Sequence, residues 1–292
     1  MKAISVGEGY GRVNLIGEHL DYNGGCVLPL QIENSIICEL SENPEIECIS
    51  IVSDKYHKKL SIEKLEKRGD WADFIIGSCL FFGKKYSIVI KKLSFNIRSH
   101  VPLGIGLSSS AAITVSTLKA LGNYYKKDMS DDELINLAYD IENNFVGVGG
   151  GIMDQFVSVL GNQNQALFLT TLTRSSALLD LFADYNFLII DSNTKRILSN
   201  SEFNQKKELC LSASKKMNLN NLCEKEIISN ADVIVQLGLP TDDKISLIKE
   251  NQTLIGVLNP YSNEDKLKDL VKKNINAFSL ELLPRITRAQ SM

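Results

Sequence analysis

Pro102-Leu103-Gly104-Ile105-Gly106-Leu107-Ser108-Ser109-Ser110-Ala111-Ala112 is the stretch that separates two styles of sequence. Before it, short alternating runs lie between Cys26 and Cys48 and between Tyr86 and Ile97. Ser87-Ile88-Val89-Ile90 and Leu93-Ser94-Phe95-Asn96-Ile97 are examples, and they predict strands with one buried face. After it, Ala112, Val115, Leu118 and Leu121 fall at helical spacing, and Gly122 sits where that helix would stop. The stretch itself combines glycines, which let the backbone turn without a side chain in the way, with three serines at a helix start. Backbone N–H groups left open there carry partial positive charge and can hold a di- or triphosphate without basic side chains. A plain Gly-Ser turn capping an amphipathic helix fits the same residues. Walker A does not fit, because Gly83-Lys84 lacks a following Ser or Thr, and Gly104-Ile105-Gly106 lacks the third glycine of a dinucleotide fingerprint.

Moving downstream, Ser130-Asp131-Asp132-Glu133 predicts a capping box, followed by a helix with Leu134, Leu137, Ala138 and Ile141 on one face. Next comes Phe145-Val146-Gly147-Val148-Gly149-Gly150-Gly151-Ile152-Met153-Asp154-Gln155, which sets one acid among glycines and apolar neighbours. Asp154 is a candidate base, although a lone Asp after a glycine run is more often a helix N-cap. Glu142, at the end of the preceding helix, reads as a surface carboxylate. Upstream, Gly11-Arg12-Val13-Asn14-Leu15-Ile16-Gly17-Glu18-His19-Leu20-Asp21-Tyr22-Asn23-Gly24-Gly25 is dense in groups that bind hydroxyls. Glu18, His19 and Asp21 suit vicinal sugar hydroxyls better than a flat apolar ligand; a solvated loop before a hairpin turn at Asn23-Gly24 is the other reading.

Past Lys225 the style changes to β-α-β. Val233 to Val235 and Leu254 to Leu258 are apolar runs around a helix from Asp242 to Lys249, with Thr241 as its N-cap. A polar helix from Glu264 to Lys273 and a strand from Ala277 to Leu282 extend the alternation expected of a parallel sheet. The boundary is therefore placed near Glu224, giving regions 1–224 and 225–292. The 292 residues hold roughly two domains' worth of chain. Lys and Arg number 32 against 35 Asp and Glu, a net charge of −3, so no global basic field exists for nucleic acid or an anionic membrane. Six scattered cysteines without a C-x-x-C pair, and three histidines, argue against a disulfide framework and a zinc site. Met1 to Gly11 has no apolar signal region, and no run approaches the ~18 apolar residues of a spanning helix. A cytoplasmic location is expected. The oligomeric state is not set by these features.

Taken together, the three motif segments resemble the galactokinase branch of the GHMP small-molecule kinases. Gly11 to Gly25 is similar to the galactokinase signature, apart from Leu20 where Thr is usual. Pro102 to Ala112 resembles the family's phosphate-binding motif, and Gly151-Ile152-Met153-Asp154-Gln155 its catalytic-aspartate motif. The likeness continues through Asp191 to Arg196 and Ser201-Glu202-Phe203-Asn204, to about Leu222. It implies an α+β fold with a GHMP-kinase N-terminal domain, ribosomal S5 domain 2-like. It further implies ATP-dependent transfer of phosphate to the anomeric hydroxyl of a sugar, most simply galactose, with Mg²⁺. By position, Asp154 would be the catalytic acid-base residue and Arg12 its charged partner. Glu18, His19, Asp21, Gly151 and Phe203 would hold the sugar. Gly104, Gly106, Leu107, Ser108, Ser109, Ser110 and Ala111 would surround the phosphates, with Trp71 near the adenine. Ser110 and Glu142 would coordinate Mg²⁺.

Two departures stand out. Phe203 replaces the usual sugar-contacting Tyr, removing a hydroxyl worth about 0.5–1.5 kcal/mol. No counterpart of the third GHMP motif, a glycine-rich loop, follows Leu222. The second lobe is thus expected to be incomplete and turnover weak or absent, because a closed, water-poor site is what aligns the acceptor. From about Ile228 the chain instead resembles the NAD(H)-binding subunit of proton-translocating transhydrogenase and its alanine dehydrogenase relatives. This implies a small βαβαβ fragment in which Arg285 and Gln290 match nicotinamide-site residues. From the residues alone, Arg285 and Arg288 are ordinary basic residues at a helix start. The alternatives to a sugar kinase are therefore an NAD(H)-binding fragment and a non-catalytic sugar-binding remnant.

Overall fold

The computed structural model describes residues 4–54, 58–102, 104–181, 187–191, 200–223, 231–236 and 238–282, apart from the side chains at 58, 200–204, 235 and 281. The chain divides into two compact units, Met1–Ser212 and Ala213–Met292.

In the first unit, β1 (Ser5–Asn14), β2 (Cys26–Val27), β3 (Pro29–Glu42), β4 (Ile49–Ser53), β5 (Lys58–Ile62), β6 (Leu93–Ser99), β7 (Gln165–Thr170) and β8 (Ser175–Asp180) share one sheet. The helices are α1 (Asp73–Tyr86), α2 (Ser109–Tyr125), α3 (Asp131–Asp140) with a π-helical continuation Ile141–Val146, α4 (Met153–Leu160) and α5 (Asn200–Lys216). Long β3 is the spine: β1 pairs antiparallel along it, β6 joins its far half and β7 its near end. Only β4 and β6 run parallel among these pairs. The alternation of β3 and β6 buries Ile36, Cys38, Leu40, Phe95 and Ile97 against Ile75, Ile76, Phe82, Leu118 and Leu121 of α1 and α2. Each large apolar side chain so buried contributes about 1.5–3 kcal/mol.

What places the site is how closely α2 approaches β1. A Cβ on Gly7 would lie 2.0 Å from the Ser116 carbonyl oxygen, and one on Gly9 2.2 Å from that of Ala112. Glycine on this face lets the helix backbone touch the strand, and Ser5 Oγ donates to the Ala120 carbonyl at 2.7 Å along the same seam. The N-terminus of α2 is thereby fixed beside the last residues of β1. The expected capping box holds α3: Glu133 N donates to Ser130 Oγ at 3.3 Å and Ser130 N to Glu133 Oε2 at 3.1 Å.

Three expectations need correction. Ser87 to Ile90 is not a strand. Ser87 takes φ +56° as the C-cap of α1, a helix the alternation concealed, and Ile88 N closes onto the Gly83 carbonyl. Ile90 is buried while Val89 faces solvent, so a two-residue alternation in a loop mimics a strand. Gly122 does not end α2, which runs to Tyr125 and stops at left-handed Lys126. A Cβ at Gly122 would meet Met129 Cε at 2.9 Å, so close packing explains the glycine. No hairpin turns at Asn23-Gly24 either, since β1 pairs with β3 and β2 with β7.

In the second unit, β9 (Val233–Gln236), α6 (Asp242–Leu247), β10 (Thr253–Gly256), α7 (Glu264–Lys272) and β11 (Asn276–Ser279) alternate, ending in a 3₁₀ turn Leu280–Leu282. The strands form a parallel sheet in the order β11-β10-β9. Ile245, Ile248, Leu254, Leu258, Leu270 and Ile275 make its core. Thr241 precedes α6 with extended backbone but without a side-chain cap bond.

Candidate functional site

Three segments far apart in sequence meet at the end of β1. Arg12 points its guanidinium at the first turn of α4, where Nε and Nη2 each lie 2.7 Å from Asp154 Oδ1. Its Nη1 donates to the Gly106 carbonyl at 2.8 Å and its backbone N–H to that of Leu107 at 3.1 Å. One arginine thus ties the start of α4 to the glycine-serine loop. Asp154 Oδ2 accepts from Ser108 Oγ. Ser108 has φ +57° and spends its hydroxyl on Asp154, so α2 begins without a side-chain cap. Its first N–H groups stay open to an anion. Gly104 and Gly106 have φ of +75° and +82°, and a Cβ on Gly104 would meet nothing within 4 Å, which leaves space over the loop.

Asp154 lies in the first turn of α4, after the N-cap Ile152, so the N-cap reading is corrected. Glu142 is also corrected from a surface group: it is 4% exposed. The π-helical turn rotates it inward, where Oε1 accepts from Ser110 Oγ at 2.9 Å and Oε2 from Gln155 Nε2. Burial, and secondly the Asp154 charge, push its pKa up to about 7 against these hydrogen bonds and Arg12.

The turn after β1 delivers the remaining acid. Asn23 N and Gly25 N both close onto the Leu20 carbonyl, and Asn23 Nδ2 donates to that of His19 at 2.7 Å. This holds Asp21 so tightly over Gly151 that a Cβ there would lie 2.0 Å from Asp21 Oδ2. Burial and then Asp154 raise the Asp21 pKa, while backbone N–H groups and Arg12 oppose them. His19 Nδ1 shares a hydrogen bond with Tyr22 OH at 2.8 Å, and Glu18 accepts from Asn14 Nδ2 at 3.2 Å.

The comparisons with known proteins meet on these same residues. The galactokinase galactose-binding signature matches residues 9–42 and the GHMP kinases N terminal domain residues 73–162. The galactokinase of Thermosipho africanus is 37% identical over 204 residues, covering 70% of this chain and 57% of its own length. That of Clostridium acetobutylicum is 31% identical over 281 residues, 91% of this chain and 68% of its own. The chain belongs to the galactokinase family. A solved galactokinase from Lactococcus lactis, complexed with galactose, superposes with a TM-score of 0.71 at 25% identity, covering 77% of this chain and 61% of that one. The chain spans little more than half the length of several curated relatives it matches, 57% and 56% in two cases. Residues 219–292 match the alanine dehydrogenase/PNT N-terminal domain. The Clostridium alignment, at 91% of the chain, also continues past Leu222.

Against that family background, Arg12, Asp21, Gly106, Leu107, Ser108, Ser110, Glu142, Gly151 and Asp154 are linked by the contacts above. Ser109 and Ala111 occupy the open first turn of α2. Glu18 and His19 are exposed and bonded within their own turn. Trp71, half-buried, packs on the main core at the start of α1, where buried Asp73 accepts from Arg68 N and Gly69 N at 2.7 Å each. Phe203 lies on α5 with its side chain outside those described, and Arg285 and Gln290 lie outside the described residues. Sequence reasoning assigned no role to Gln155, Tyr22 or Lys207. Lys207 Nζ donates to the Gly149 carbonyl at 2.8 Å and stands 6.0 Å from the Tyr22 ring, joining α5 to both loops. A lysine beside Lys206 on a polar helix carries no signal of this. For Gln155, the signal was an amide embedded in the apolar run Ile152 to Val157.

Proposed function

We propose that this chain carries the catalytic residues of an ATP-dependent sugar kinase, transferring the γ-phosphoryl group of ATP to the anomeric hydroxyl of galactose. The observation that carries the reading is the Arg12–Asp154–Ser108 junction, which joins a carboxylate to a nucleotide-type loop next to Asp21. Phosphoryl transfer asks mainly for alignment and charge neutralisation. Asp154 Oδ2, which faces Ser108 Oγ and not Arg12, takes the proton of the attacking hydroxyl. Arg12 holds the carboxylate in place and adds positive charge where the equatorial oxygens gain negative charge. Asp21 orients the sugar, with Glu18 and His19 at its outer edge. Gly104, Gly106 and the first N–H groups of α2 receive the phosphates.

The Ser110 and Glu142 oxygens, 2.9 Å apart and including a buried carboxylate, fit Mg²⁺, which is commonly bound by one or two carboxylates plus phosphate oxygens and water. When bound, the ion would supply neutralisation of the negative charge on the phosphate groups. No disulfide joins the six cysteines, which supports a reducing, cytoplasmic setting, and among the described residues no helix is long and apolar enough to cross a membrane. We assign residues 1–224 to the kinase region and 225–292 to the transhydrogenase-like α/β segment. The test is ADP release and galactose 1-phosphate formation with Mg-ATP. Asp154→Asn is expected to lose about 10²–10⁴-fold in rate while keeping galactose-induced thermal stabilisation. Turnover indifferent to that change, or absence of both turnover and galactose binding in the unmodified chain, overturns the reading.

A further inference from the structure

Gln155 is 1% exposed, yet only half of its amide is used. Nε2 donates to Glu142 Oε2, while Oε1 is buried without a hydrogen-bond partner. A buried amide oxygen left bare is costly, and native proteins keep such atoms rarely. Here it occurs one residue after Asp154, on the amide that grips one oxygen of Glu142, while Ser110 occupies the other. A cation bound through two protein oxygens keeps several of its waters, and those waters need acceptors. Groups behind a metal-binding carboxylate fix its orientation and tune its affinity.

We propose that Gln155 is a positioning residue for the divalent cation: its Nε2 locks the Glu142 carboxylate and its Oε1 accepts from a cation-bound water. This rests on the assignment of Ser110 and Glu142 to Mg²⁺. It places the cation site and the Asp154 helix under one side chain, so that α4 orients both the carboxylate that takes the proton and the one that holds the ion.

The experiment follows Mn²⁺ by electron paramagnetic resonance in the full chain at saturating ADP, corrected for Mn²⁺ held by ADP alone. Gln155→Met, which keeps length and removes both polar atoms, is expected to weaken protein-dependent Mn²⁺ binding about 10–100-fold. Galactose-induced stabilisation stays near that of the unmodified chain. Gln155→Asn, which keeps the amide but shortens its reach, is the second variant should the methionine fail to fold, and is expected to weaken Mn²⁺ in the same direction. Glu142→Gln is the companion arm. Loss of Mn²⁺ binding there, with both folded Gln155 variants within twofold of the unmodified chain, overturns the role of Gln155 alone. Unchanged binding in Glu142→Gln, or none in the unmodified chain, overturns the cation assignment with it.

Discussion

Gln155 in the first unit and Gln252 in the second bury an amide in opposite ways. In the first, Glu142, Gln155 and Ser108 are buried at one junction, with an unsatisfied oxygen on Gln155 and left-handed backbone at Ser108. In the second, buried Gln252 accepts from Lys249 N at 2.6 Å and donates to the Ala231 carbonyl, so its amide merely fastens a turn. Ion pairs differ likewise. Arg12 and Asp154 are 14% and 22% exposed and share three elements, whereas Lys272–Asp269 lies on the open surface of α7, where screening leaves little energy. The amide of Gln155 is left half-used beside the candidate site, whereas both ends of the Gln252 amide are spent on holding the backbone.

That contrast can be broken experimentally. The largest effect belongs to Arg12→Lys, which keeps the charge but loses the fork, and should slow galactose phosphorylation about 100- to 1,000-fold. Asp269→Asn should change neither rate nor unfolding midpoint, and an equal effect from the two would erase the distinction. Leu254→Ala, fully buried in the parallel sheet, should cost about 2–5 kcal/mol in denaturant unfolding and speed amide exchange in β9 to β11. Gly9→Ala, whose new carbon would lie 2.2 Å from the Ala112 oxygen, should cost about 1–3 kcal/mol, read by the same method.

A smaller effect separates the units by pH. The pKa of Glu142 is raised from 4.5 to about 7, so the folded state binds its proton more tightly than the unfolded chain. Its contribution to stability is fully present below the unfolded value and is lost as pH rises through the folded one. The ion-free chain should therefore lose on the order of 5 °C of unfolding midpoint between about pH 5 and 8, relative to Glu142→Gln. Scanning calorimetry of both proteins without divalent cation checks this, and parallel curves would contradict it.

Much of this was legible in the residues. The β-α-β alternation after Lys225 appears almost as the apolar runs indicate, because in a parallel sheet each strand is a short apolar block. The capping box at Ser130 is local, so spacing alone suffices. Arg12, Ser108 and Asp154 were identifiable as motif members, but their meeting depends on glycine contacts between β1 and α2 that only packing reveals. Glu142 was misread because a π-helical turn shifts the facing of a residue, and helical periodicity assumes 3.6 residues per turn throughout. Ser87 to Ile90 was misread because alternation over four residues does not distinguish a strand from the exit of a helix. Phe203, Arg285 and Gln290 rest on resemblance, not on the described geometry.

In the proposed chemistry Arg12 and Asp154 act as a single unit. A double-mutant cycle on the rate of galactose 1-phosphate formation, with Arg12→Ala, Asp154→Asn and the pair, tests that most directly. The double variant should be about as slow as the slower single one. Losses that simply multiply would show the two residues working apart, and contradict the account.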